Sequence, residues 1–323
     1  MSVLLLTLNT IKIVLVRMGK YLSAAICALC LLLTGLKGKG QPVFTKNFSD
    51  SLSQERLETV FIIESSIYAT GLSFLNFIWY KDHEGVPFHF YDDLKGYLQM
   101  DKAGHAFGAY YQSYQGYYAL RWAGMKKKKA LLYGAPLGLI FQTPIEIFDG
   151  MYEGYGFSWW DTWANLAGSA LFAVQQAAWE QQVFMLKFSY APSKYADYHH
   201  TLGESSVESL FLDYNGHTYW LSGSMKALTG MESLPQWLNV AIGYSGNGMI
   251  HEFDNPAYYK GEPFPDFPRY RQVLISLDID LSKIPVNQRW LRSLLKHLNF
   301  IKIPFPALEL NRVNGTELHP LYF

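Results

Sequence analysis

Between residues 101 and 168, charged and amide side chains are threaded through segments otherwise built from Phe, Tyr, Trp, Leu, Ala and Gly. Asp101-Lys102-Ala103-Gly104-His105 comes first, then Glu146 and Asp149, then Ser158, Asp161, Asn165 and Gly168. An unpaired charge in such surroundings costs several kcal/mol, so any fold open to this chain must bring these groups together. They form either a network that fixes the fold or a site.

Spacing assigns them to helices. Asp101 and His105 are four apart and share a helix face, as do Asp161, Asn165 and Gly168, while Glu146 and Asp149 follow Pro144. The pattern predicts helices over 57–80, 101–123, 130–148 and 159–187. Ser51-x-x-Gln54 reads as a capping box, and Asp101 and Ser158 stand at cap positions. Small residues recur at four-residue spacing, in Gly104-x-x-x-Gly108, Gly134-x-x-x-Gly138 and Ala164-x-x-x-Gly168, and let helix backbones approach closely. The expected fold is mainly α, a four-helix bundle over 41–190 followed by a smaller α+β module over 191–323.

In that second module, Leu210–Tyr214 and Thr218–Leu221 flank Asn215-Gly216 as a hairpin would, and Asn314-Gly315 marks another. Trp237–Tyr244 reads as a strand. In Arg271–Leu281 the set Val273, Ile275, Leu277, Ile279 and Leu281 alternates with Gln272, Leu274, Ser276, Asp278 and Asp280, which predicts one face buried in something apolar. Residues 286–300 read as an amphipathic helix with Trp290, Leu291, Leu294, Leu295 and Leu298 on one stripe. The strands number fewer than the roughly eight a transmembrane barrel needs, and Pro320 argues against a regular last strand.

The first forty residues have the form of a secretory signal. Met18-Gly19-Lys20 precedes the apolar run Tyr21–Thr34, and Gly38 and Gly40 offer small residues before an expected cut after Gly40. Cys27 and Cys30, the chain's two cysteines, both lie here, so the remainder has no Cys nucleophile or Cys-based zinc site. Neither stands in a Leu-small-small-Cys run, so no lipid anchor is expected. Removing this segment leaves 22 basic residues against 27 acidic, and no basic face for a nucleic acid.

The best uninterrupted apolar run beyond it, Ala130–Phe141, falls short of the ~20 residues of a membrane span. Alternating spans after a signal peptide would also place Lys126–Lys129 outside the cytoplasm, against the positive-inside rule. The expected location is therefore periplasmic or membrane-associated, with an integral inner-membrane bundle as the alternative. The expected partner is a membrane surface or envelope component.

Within the polar set, His105, Glu146 and Asp161 are the candidate catalytic groups. Asp101, Lys102, Asp149, Ser158 and Asn165 are the candidate structural network. No cofactor is expected, but His105, Glu146 and Asp149 could ligate a divalent cation through imidazole and carboxylate atoms. The chain lacks His-Glu-x-x-His and a Gly-x-Ser-x-Gly elbow. His199-His200 reads as solvated, and His251-Glu252 with Asp254 as a weaker metal candidate.

Three motifs occur in order: Asp-Lys-x-x-His, Glu-x-x-Asp, and Ser-x-x-Asp-x-x-x-Asn-x-x-Gly. In this order the chain resembles the core of VanZ-like proteins, small helical membrane proteins. It resembles more closely the predicted periplasmic lipoprotein family that includes YfiM, through the Lys-x-x-His helix and Gly154-Tyr-Gly156-Phe-Ser158-Trp-Trp-Asp161. Neither resemblance implies an established activity. The leading expectation is an exported cell-envelope protein with a structural or interaction role at a membrane face. The alternative is a hydrolase or ligand-binding protein acting on an envelope lipid or glycan through the His/carboxylate cluster.

Overall fold

The computed structural model describes Phe48 and residues 50–323, apart from position 82. The expected signal segment with its two cysteines, and Asp82, lie outside the described residues.

Helix α1 (Gln54–Tyr80) is capped by Ser53, whose Oγ accepts from the Arg56 amide, rather than by the expected Ser51 box. Among its 27 residues only Val60, Ile78 and Tyr80 are buried. Helices α2 (Met100–Trp122), α3 (Lys127–Gly134), α4 (Leu137–Asp149) and α5 (Trp159–Trp179) pack around Tyr110, Tyr117, Leu120 and Phe172. The expected third helix is two, interrupted at Ala135-Pro136, where proline supplies no amide donor. Among the described residues, two stretches are long and apolar enough, by length and composition alone, to cross a membrane, although uninterrupted runs gave none. They are Gln54–Tyr80, with 6% of its window buried, and Lys127–Asp149, with 33% buried.

The fourth expected helix overruns. Glu180 turns left-handed at φ 52°, and the Gln175 side chain accepts from the amides of Val183 and Phe184, so β1 (Phe184–Tyr190) begins where helix was expected. Helix α6 (Ser206–Leu212), β2 (His217–Ser224), α7 (Met225–Thr229) and β3 (Leu238–Asn247) follow. A small β4–β5 pair (Tyr258–Tyr259, Glu262–Pro263) precedes β6 (Tyr270–Ile279), α8 (Arg289–His297), β7 (Phe305–Asn311) and β8 (Gly315–Tyr322). Strands β1-β2-β3-β6-β7-β8 form one antiparallel six-stranded sheet.

The chain is therefore mixed, 47% helix and 22% strand, and not a mainly α four-helix bundle. Two physical causes account for the difference. Helix α1 leaves most of its surface outside the bundle. Helix α2 packs on the sheet as well as on helices, with Tyr111 donating to Leu186 O at 2.6 Å and Phe107 against Phe188 and Tyr219.

No hairpin forms at Asn215-Gly216. A short 3-10 turn, Tyr214–Gly216, stands there, and the Asn215 amide pairs with both backbone groups of Met249, a distant partner that local sequence does not signal. The last hairpin does turn at Asn314-Gly315, with φ +77° at Gly315. Strand β8 runs through Pro320, with a register shift opposite Phe305–Ala307 absorbing it at the sheet's edge.

Strand β6 alternates as expected but with the opposite sense. Gln272, Leu274, Ser276 and Asp278 are buried, while Val273, Ile275 and Leu277 are exposed. The inner face closes because the sheet rolls. Trp220 of β2 and Tyr322 of β8 lie in ring contact at 5.9 Å, although four strand spacings separate them in order, ~19 Å in a flat sheet. Inside, Lys187 pairs with Asp278 at 2.8 Å, Glu309 meets His319 at 2.7 Å and Gln272 at 2.6 Å, and Ser222 donates to Asp278. The interior of the sheet combines these polar pairs with the apolar set Trp220, Ala241, Leu274 and Ala307.

Candidate active site

Three close helix contacts set the site's frame. A Cβ on Gly168 would fall onto Ala106 O, one on Gly138 onto Ala109 O, and one on Gly134 against the Tyr117 backbone. Gly104 and Gly108 face side chains instead, Tyr219 and Gln142. Helices α2, α4 and α5 thus meet almost backbone to backbone, and their polar residues converge at one end. The route into α2 is strained there. Tyr97, Leu98 and Gln99 are successive left-handed residues (φ 42°, 52° and 66°), a conformation costing roughly 1–2 kcal/mol each outside glycine. Tertiary bonds hold the turn: Tyr97 N donates to Glu252 O, Tyr244 to Leu98 O, and Arg271 to Gln99 Oε1. Sequence reading placed Asp101 at the helix cap; the cap residue is Gln99, and Asp101 sits in the first turn. Ser158 does cap α5, accepting from the Asp161 amide at 3.1 Å.

Lys102 lies at the centre of one half of the cluster. Its Nζ is 2.5 Å from Asp93, 3.1 Å from Asp101 and 3.0 Å from Asp161. Ser158 Oγ donates to Asp93 at 2.6 Å. This ties the 81–99 connection to α2 and α5.

His105 organises the other half. Its Nδ1 lies 3.2 Å from Asn165 Oδ1 and 3.3 Å from Glu146 Oε1, and its Nε2 lies 3.7 Å from Asp101 Oδ1. Asp149 accepts from Tyr80 OH, and Asp101 accepts from Tyr214 OH at 3.0 Å.

These groups border a cavity of about 920 Å³. Its lining includes Asp93, Asp101, Lys102, His105, Asp149 and Asp161 together with Tyr214, His251 and Glu252. Glu146 and Asn165, both buried, stand behind His105 rather than on the wall. Sequence reasoning missed Asp93, Tyr80, Tyr97 and Tyr214, and read Glu252 only as part of a separate metal candidate with His251 and Asp254. Asp93 and Glu252 carried a signal, as carboxylates among aromatics, but nothing local joined them to α2. His199, expected in solvent, is buried against His200, His251 and Tyr259, and burial pushes it down to about 4.

Carboxyl groups outnumber cations here, with Asp93, Asp101, Glu146, Asp149 and Asp161 facing Lys102 and His105. Burial opposes charging His105, but Glu146 and Asp101 outweigh it and hold its pKa above the ordinary histidine value. Burial also resists charge on Asp101, yet His105 and Lys102 draw it below the usual range. Burial raises Glu146, with His105 offsetting part of the effect, and raises Asp161, with Asp101 adding to it. Burial lifts Asp149 to about 7 and Glu252 likewise to about 7.

Among the described residues, Asp101, His105 and Asp161 bring potential ligand atoms within 4.8 Å of one another. The lysine ammonium already stands between those two carboxylates. Of the metal candidates read from sequence, Glu146 faces the other edge of His105, and Asp149 is bonded by Tyr80. A second group, Glu309, Glu317 and His319, lies in the sheet, where His319 is already paired.

Residues 89–177 match the model of a family described as "Predicted periplasmic lipoprotein (DUF2279)", a span that includes every helical residue of the cluster. The match supports an exported, envelope-associated location. No curated protein and no solved structure matches the chain.

Proposed function

We propose that this envelope protein is a hydrolase for a neutral or amino-bearing glycan, with His105 as general base. The carrying observation is the asymmetry of His105. Its Nδ1 edge is held by Glu146 and Asn165, which lie off the cavity, and its Nε2 edge stands beside Asp101 on the cavity wall. An imidazole whose Nδ1–H is fixed from behind presents Nε2 forward, with its lone pair free to act as base once pH exceeds the raised pKa, the base-and-orienter arrangement of acid–base catalysis.

Water bound in the cavity gives a proton to Nε2, its oxygen attacks the glycosidic carbon, and the departing oxygen takes a proton from Asp149. That carboxyl, lifted to about 7, still carries its proton near neutrality. Glu146 and Asn165 are positioning residues. Substrate class follows from charge. The excess of carboxylates and the engagement of Lys102 disfavour a phosphate, while Tyr91, Tyr97, Tyr155 and Tyr214 offer aromatic faces for sugar rings. Lys102 supplies the positive charge a divalent ion would bring, so the reading uses no metal.

The test is turnover of chitin and chitosan oligosaccharides, one neutral and one amino-bearing, by the wild type, His105→Asn and Asp149→Asn, with melting temperature followed in parallel. Loss of at least ~100-fold in either variant, with the fold retained, is expected. Activity undiminished in His105→Asn would overturn the reading. A competing structural role rests on the three carboxylates gathered by Lys102; it predicts a lower melting temperature in Lys102→Met and no turnover by any form.

A further inference from the structure

We infer that the outward face of the rolled sheet, together with α8, docks on an anionic lipid bilayer, independently of what the cavity does. Pairing register aligns Leu221, Ile242, Ile275, Leu308 and Leu318 in one row across five adjacent strands. They are 39%, 55%, 45%, 38% and 72% exposed. Val273 and Leu277 extend the patch along β6, also exposed. At ~4.8 Å per strand and ~3.4 Å per residue, the face spans about 20 Å by 14 Å, near the size at which an apolar patch marks an interaction site.

The sheet's inner face argues for lipid rather than a protein partner. Lys187 and Asp278 have no exposed side-chain area, and Glu309 has almost none. These ions share the interior with the apolar set Trp220, Ala241, Leu274 and Ala307, while the outward row is aliphatic throughout, a face suited to hydrocarbon surroundings. The outward apolar run on β6, from Val273 to Ile279, is about 20 Å long against the ~25 Å belt of a spanning barrel. It is therefore suited to lying on a membrane rather than crossing it.

Charge supplies the headgroup. Between Asp280 and Glu309 the sequence has no acidic residue, and α8 exposes Arg289 and Arg292 beside Trp290 and Leu294. This cationic amphipathic helix lies in the connection between β6 and β7, two of the strands that carry the patch. Such a helix seats its apolar stripe at the interface and its arginines on anionic headgroups. A second copy of the chain would set these arginines against their like; an anionic surface neutralises them.

Flotation with vesicles of phosphatidylcholine alone, and of phosphatidylcholine with phosphatidylglycerol, tests this. The protein is expected to float with the anionic vesicles. The triple variant Ile242→Asn, Ile275→Asn, Leu308→Asn is expected to lose at least ~10-fold in partitioning with an unchanged circular dichroism spectrum. Arg289→Glu with Arg292→Glu removes the preference for phosphatidylglycerol. His105→Asn floats like the wild type, which separates this inference from the catalytic one. Equal flotation of the triple variant would overturn it, since α1 or another surface would then carry binding. Lipid-free sedimentation showing a dimer that the triple variant dissolves would overturn it in favour of a second copy.

Discussion

Lys187 with Asp278, inside the rolled sheet, and Lys102 with Asp93, Asp101 and Asp161, beside the cavity, are both buried ion systems. The first matches one lysine to one carboxylate, and neither side chain has exposed area. Ser222 donates to Asp278 and Lys187 also donates to Ile279 O, while Asp278 Oδ1 has no hydrogen-bond partner among the described residues. The second gathers carboxylates in excess of its cations and lies on a cavity wall. A sealed, balanced pair has nothing left to exchange with solvent or ligand. An unbalanced cluster on a cavity must take up protons or cations, and its raised carboxyls at Glu146, Asp149 and Asp161 are the consequence. Burial of charge is common to both; stoichiometry and access separate them.

The largest effect should come from breaking the balanced pair. Lys187→Met strands the Asp278 charge and should cost about 3–5 kcal/mol in urea unfolding, while Lys187→Met with Asp278→Leu should recover most of it. A single variant losing under ~1 kcal/mol would show that the sheet interior is wetter than its burial indicates.

Next comes pH, which should act on the cavity cluster through Asp149 and on the sheet through Lys302, whose amine burial pushes down to about 8. Asp149 holds its proton more tightly folded (about 7) than unfolded (3.8), so the folded state binds more protons between those values. Its stability contribution is complete below the unfolded value and is lost as pH rises through about 7, up to about 4 kcal/mol. Asp149→Asn should flatten the decline of melting temperature between acid and mildly alkaline pH. A decline of the same slope in that variant would assign it to another group.

Ser158→Ala removes the α5 cap and a donor to Asp93, and should cost about 1 kcal/mol. Denaturation showing no change would mean the 81–99 connection is held by Lys102 alone. The smallest effect is expected on the sheet's outer side, where Ile275→Thr should stay within about 0.5 kcal/mol in lipid-free buffer, since its side chain is exposed. A loss above ~1 kcal/mol would mean the face is covered in solution.

The cluster on α2, α4 and α5 was legible because helical spacing is local. Positions three and four apart share a face whatever the rest of the chain does, and Asp101, Lys102, His105, Glu146, Asp161 and Asn165 converge as their spacing implies. Asp93 and Tyr214, and the arrival of Glu252 beside them, were not legible, because they come from connections whose paths depend on contacts such as Asn215 with Met249. The four-helix bundle failed at residues 184–187, where side-chain capping by Gln175 and pairing with β2 override a helical reading.

Sequence by itself determined that β6 alternates, that α2 and α5 carry polar faces, and that a last turn stands at Gly315. The tertiary structure alone decided which face of β6 is inside. A period of two is the same pattern read from either side, and only the rolling of the sheet, which brings Tyr322 onto Trp220, puts Gln272 and Asp278 within and leaves Val273, Ile275 and Leu277 without.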